Sequence, residues 1–153
     1  MPWRQVGLLT VALLLVLGGI YKMTHTSPRS DRELILDLIE TGKQAVEKKS
    51  ARRAMRLIAE DYSDDDGNNY RALQQLANQV LTGARKVQVT IAATQIQQLQ
   101  PTDAIVRVAG IVSLSDVEHT DKQEFDLTFH LVKRNGAWKV RRIEGMKMTM
   151  DGE

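Results

Sequence analysis

The 153-residue chain has no cysteine, which excludes disulfide staples, thiolate metal ligands and cysteine nucleophiles together. Aromatic residues are scarce, at 5%. Charge of one sign is missing as well, once the N-terminus is set aside. Residues 1–30 hold Arg4, Lys22 and Arg29 and no acid, so the rest of the chain carries 18 basic against 19 acidic side chains, a formal net of −1. The overall net of +2 therefore comes from the N-terminal segment. A near-neutral domain offers no sustained positive face from which counterions could be released, so nucleic acid is not an expected partner. There is no internal repeat and no low-complexity tract.

What is present begins with an uncharged run of sixteen residues, Val6 to Tyr21. From Trp3 to Tyr21 a helix would rise about 27 Å at roughly 1.5 Å per residue, close to the hydrocarbon thickness, with an aromatic residue at each end. The favoured reading is a retained single-pass anchor in a bacterial inner membrane, with the rest of the chain in the periplasm. A cleaved secretory signal is the alternative, since Thr24 and Thr26 supply a weak small-residue pattern before Ser27. Residues 1–30 are thus read as anchor or signal plus hinge, and 31–153 as one domain of ordinary single-core size.

Beyond Pro28 the pattern is helical. Leu34, Ile35, Leu38, Ile39 and Val46 recur at three and four spacing, which predicts an amphipathic helix over about 31–48. Ser50 caps a second helix expected over about 51–61, with Ala54, Leu57 and Ile58 on one face and Arg52, Arg53 and Arg56 on another. A third, about 69–83, buries Leu73, Leu76, Ala77, Val80 and Leu81, with Gly83 as its C-terminal stop. From Lys86 the period changes to two. Strands are expected over about 86–99, 104–115 and 123–134, the last joined by Asn135-Gly136 to a fourth containing Trp138, Val140 and Ile143. Helices followed by an antiparallel meander make an α+β domain, three helices on a curved four-stranded sheet shaped as a cone-like half-barrel.

In element order, in Ala59-Glu60-Asp61-Tyr62-Ser63-Asp64 with Gly67, and in Asn135-Gly136-Ala137-Trp138-Lys139-Val140 with Ile143-Glu144-Gly145, residues 31 to about 147 resemble the nuclear transport factor 2-like (cystatin-like, SnoaL-like) superfamily. The resemblance implies a cone that in some members holds isomerase or dehydratase acids and bases, and in others a sheet face that makes dimers. It also implies a layout shared with bitopic periplasmic subunits of secretion machines.

The candidate residues divide between cavity and surface. Asp61, Tyr62 and Trp138 are candidates for the cone, where a carboxylate raised toward neutrality beside a tyrosine or histidine could move a proton. Asp126 and His130 form a second such pair, at i and i+4 on one strand face. The simpler account makes Tyr62 a core residue and the polar strand face a solvent or partner surface. The acidic turn Asp61, Asp64, Asp65, Asp66 does not fit a calcium loop, because aligning Gly67 with the loop glycine puts Tyr62 and Leu73 where acidic ligands are required. The histidines show no metal spacing. Lys48, Lys49, Arg52, Arg53 and Arg56 form a basic cluster that could meet anionic lipid or an acidic partner, although a plain solvated face is the favoured account. Arg107, Thr128 and His130, with Gln88, Thr90 and Thr94, are expected on the sheet face opposite the helices. The sequence therefore points to a non-enzymatic, membrane-anchored assembly module with no cofactor or metal, binding protein partners or a second copy. The alternative is a small-molecule-binding or proton-transfer domain using the cone.

Overall fold

The computed structural model describes residues 29–145. The expected anchor falls almost wholly on residues 1–28 and so lies outside the described residues. Among those described, no helix is long and apolar enough to cross a membrane. Asp31–Glu153 forms a compact unit of its own, and its core residues run from Ile35 to Val140.

Helix α1 (Asp31–Glu47) has Asp31 and Glu33 in its first turn, where carboxylates meet the positive end of the helix dipole. Its buried stripe is Ile35, Leu38 and Ala45. The helix closes as a Schellman motif, with Ser50 N donating to Ala45 O and Lys49 N to Val46 O, both at 2.9 Å. Lys49 occupies the left-handed position, at φ 53°. Helix α2 (Ala51–Met55) is N-capped by Ser50 as expected, but it stops well short of residue 61. Beyond Met55 the backbone is taken up by the sheet: Val140 N donates to Leu57 O and Ala59 N to Val140 O, each at 2.8 Å, so that Ile58 and Val140 form a parallel bridge. Two tertiary hydrogen bonds thus replace the helical ones of a segment too short to be stable by itself. Helix α3 (Tyr70–Gly83) starts behind Asn69, whose side chain accepts from Ala72 N at 3.0 Å.

Strands β1 (Lys86–Leu99), β2 (Asp103–Ser115), β3 (Thr120–Arg134) and β4 (Ala137–Glu144) pair in chain order as an antiparallel meander. Asn135 at φ 52° and Gly136 at φ 75° make the tight β3–β4 turn. Alternation puts Val106, Val108, Leu131, Trp138 and Val140 in the core with Ile35, Leu38, Met55, Tyr62 and Leu73. The other face carries Arg107, Asp126, Thr128 and His130. Two bulges in β1, between Ile91 and Ala93 and between Ile96 and Gln98, bend the strand and each reverses its alternation. The first corrects one expectation: Thr94 pairs with Val108, on the helix-covered side rather than the outer one. Gly110 sits across from this bulge, paired with Ile91. A β-carbon there would lie 2.1 Å from Thr90 O and 2.9 Å from Phe125 Cζ.

β4 is only eight residues long against fifteen in β3. It pairs with Thr128–Arg134 and leaves Thr120–Leu127 without a β4 partner. The filled core lies behind the paired part, and the unpaired part borders an opening.

Candidate functional site

That opening is a cavity of about 760 Å³ between α1, α2 and the inner sheet face. Its lining comes from α1 through Leu38, Ile39, Gly42, Lys43 and Val46, from Ala54, Leu57 and Ile58, and from the strands through Val89, Ile91, Val108, Val112, Phe125 and Phe129. Gly42 lies inside the amphipathic helix and faces Leu57, with 3.5 Å from its ideal β-carbon position to Leu57 Cδ1. Its missing side chain is part of the empty volume. Among the described residues no polar or charged residue is fully buried, and the two carboxylates that border the cavity, Glu124 and Asp126, stand at outward-facing positions of β3.

The three residues expected in the cone do not line it. Asp61 faces outward and holds Arg134 through a two-pronged pair at 2.6 and 2.7 Å, with Arg141 3.7 Å away. The Arg134 hydrogen bonds hold its carboxyl below the usual range despite the opposing cost of partial burial. Helix α2 ends before reaching it, so the backbone that was to aim Asp61 at the cone runs along the sheet edge instead. Tyr62 is 2% exposed and belongs to the core. Burial, and then the hydrogen bond it donates to Asp64 Oδ2 at 2.8 Å, push its phenol far above the ordinary value. Trp138 is also in the core, with Nε1 donating to Asp31 Oδ1 at 3.1 Å and Lys133 Nζ 5.8 Å from its ring centre. None of the three is placed to exchange a proton with a molecule in the cavity.

The expected surface residues fall in two places. Arg107, Thr128 and His130 do share the outer sheet face: Arg107 pairs with Thr128, and Ile105 with His130. Arg107 grips Asp126 at 2.8 and 2.5 Å, and this hydrogen bonding lowers the Asp126 pKa. His130 meets Glu144 at 3.1 Å, and Arg142 bridges Glu144 and Asp65. Asp126 and His130 are therefore tied to different partners rather than to each other, although Asp126 also borders the cavity. Arg52, Arg53 and Arg56 lie apart from these, exposed on and just after α2. Lys49, from the same basic cluster, donates to Ala84 O.

In the acidic turn, Asp64 acts as a structural hub. Its carboxylate accepts from Asp66 N, Asn68 N, Asn68 Nδ2 and Tyr62 Oη. Burial alone would raise its pKa, but the donors from Asn68, Tyr62 and Asp66 together lower it. No group of three or more metal-type ligands occurs among the described residues. The cavity itself escaped sequence reading. Its one local sign was Gly42 in the middle of a helix, where a glycine costs helix stability and so marks a packing or functional reason.

No family model matches the sequence, and no curated protein matches it either. Solved structures do. A candidate scytalone dehydratase from Novosphingobium aromaticivorans superposes with a TM-score of 0.67 at 16% identity, covering 74% of this chain and 80% of that one. A cystatin-like protein of unknown function from Nostoc punctiforme gives 0.60 at 16%, covering 74% and 87%. A nuclear transport factor 2-like protein of unknown function from Shewanella oneidensis gives 0.53 at 15%, covering 74% and 97%. The chain thus has the nuclear transport factor 2-like, cystatin-like fold. At such identities the likeness concerns the fold alone.

Proposed function

We propose that this domain binds an apolar small molecule in the cone cavity and does so without acid–base catalysis. The observation that carries the reading is a cavity of about 760 Å³ lined mostly by aliphatic and phenyl groups, a size within the ~300–1,000 Å³ of ordinary ligand pockets. The non-catalytic part of the reading is supported by the contacts that hold the candidate acids and bases. Proton transfer needs a titratable group within hydrogen-bond reach of the bound molecule, and Asp61, Tyr62, Asp126 and His130 are each engaged elsewhere.

This reverses the order of the two readings drawn from the sequence, in which assembly came first. Met55 and Trp138 are in the core, whereas Leu57 and Phe125 only border the space. The apolar run Val6–Tyr21 supports a location for this binding at the extracytoplasmic face of a membrane.

The test is titration of the self-contained unit Asp31–Glu153 with N-phenyl-1-naphthylamine, a neutral apolar fluorophore. Saturable 1:1 enhancement at micromolar concentration is expected. Gly42→Leu places a side chain in the cavity while improving helix propensity, so it should weaken binding at least tenfold and leave the fold at least as stable. No saturable signal from the folded wild-type unit would overturn the proposal.

A further inference from the structure

Among the described residues of the cavity lining Lys43 is the one cation, beside the acids Glu124 and Asp126 and the amide Gln123. It stands on α1 one residue from Gly42, half-buried. No ion pair or hydrogen bond engages its ammonium among the described residues. The acids nearest in sequence along the helix are occupied. Glu47 accepts from Val89 N at 3.0 Å, filling a donor that edge strand β1 leaves free, and Glu40 accepts from Gln44 Nε2 at 3.3 Å. Two further carboxylates belong to residues bordering the cavity, Glu124 and Asp126. Both are at even positions of β3, paired with Ile111 and Ala109 on the outer side of the sheet, and Asp126 is held there by Arg107. Gln123, on the inner side, is the remaining polar residue of the described lining, and it is neutral.

A half-buried lysine without a counter-ion among the described residues can meet an anion delivered on the same molecule that fills the apolar space beside it. We infer that the ligand is an aliphatic carboxylate, with its hydrocarbon chain in the cavity and its carboxylate against Lys43 Nζ. The inference rests on the cavity-binding reading and adds the headgroup. Lys43 is the specificity-determining residue, while the binding of the chain is shared among Ile39, Leu57, Ile91 and Phe129.

The experiment displaces N-phenyl-1-naphthylamine from the Asp31–Glu153 unit with three probes of one chain length: dodecanoate, dodecanol and dodecylamine. Dodecanoate should bind about tenfold more tightly than dodecanol, the value of one charge-assisted contact, and dodecylamine more weakly than either. In Lys43→Met, dodecanoate and dodecanol should become equal with dodecanol unchanged. In Lys43→Glu the order should invert in favour of dodecylamine. Equal affinities for dodecanoate and dodecanol in the wild type, or a carboxylate preference that survives both substitutions, would overturn the headgroup assignment and leave the apolar cavity standing. Failure of all three probes and the dye to bind would bring down the cavity reading and this inference with it.

Discussion

Lys49 is the left-handed residue that closes α1, a position where a β-carbon is crowded and glycine is the usual occupant. Lys49→Gly should relieve that strain and stabilise the domain by about 0.5–1 kcal/mol, the greater chain entropy of the unfolded state offsetting part of the gain. A rise of a few degrees in the thermal midpoint would show it, and a fall would mean that the exposed Lys49–Ala84 hydrogen bond outweighs the strain. The sequence misleads at this scale. Gly83 reads as a helix stop, yet it is the last helical residue of α3 and has no left-handed backbone, whereas the true left-handed stop is a lysine. Capping side chains are more legible. Ser50 is where its residue type says it should be, because its hydroxyl competes for backbone N–H groups wherever a helix begins.

The strands were legible from period-two alternation alone, and the Asn135-Gly136 turn from the backbone freedom of its two residues. The bulges were not. An extra residue in β1 has no compositional mark, and its effect appears only in the facing strand, where Gly110 gives the close approach room. Gly110→Ala should therefore cost about 2–3 kcal/mol, the upper part of the usual range for overpacking, lowering the urea midpoint without changing the denaturant slope. Stability within about 0.5 kcal/mol of wild type would show that Phe125 and β1 yield easily. The early end of α2 was hidden for a related reason. Ala54, Leu57 and Ile58 fit a helical face, and only the presence of β4 beside them makes sheet pairing the better use of Leu57 and Ala59. The cavity inherits this invisibility, since it depends on the difference in length between β3 and β4 and on how α1 passes over them.

In the assembled domain, the well-separated parts are joined by acid–base contacts that are short in space and long in sequence. Asp31 connects the start of α1 to Lys133 and Trp138 on the last hairpin, and Asp61 connects the segment after α2 to Arg134. Hydrogen bonding from Lys133, then from Trp138, lowers the Asp31 pKa; Asp61 and Asp126 are lowered as well. A carboxylate whose folded pKa lies below its unfolded value stabilises the fold above that unfolded value, about 3.9, and the contribution is lost as pH falls through the folded pKa. The urea midpoint should accordingly be flat from about pH 5 to 8 and decline below about pH 4, with a smaller decline in Asp61→Asn and Asp126→Asn than in the wild type. An unchanged acid limb in both variants would show that these pairs contribute nothing measurable, as exposed ion pairs often do. The short fourth strand also bears on association between molecules. Among the described residues it leaves Thr120–Leu127 without a strand on that side, the kind of margin that recruits strands from other chains. Four of its members, Asp121, Lys122, Glu124 and Asp126, are charged, and the opposite margin of the sheet is interrupted by two bulges and by the Glu47 carboxylate on Val89. Both margins are therefore poor templates for fibrillar stacking, so that a wide-mouthed apolar cavity can exist in this domain without making its sheet prone to polymerise.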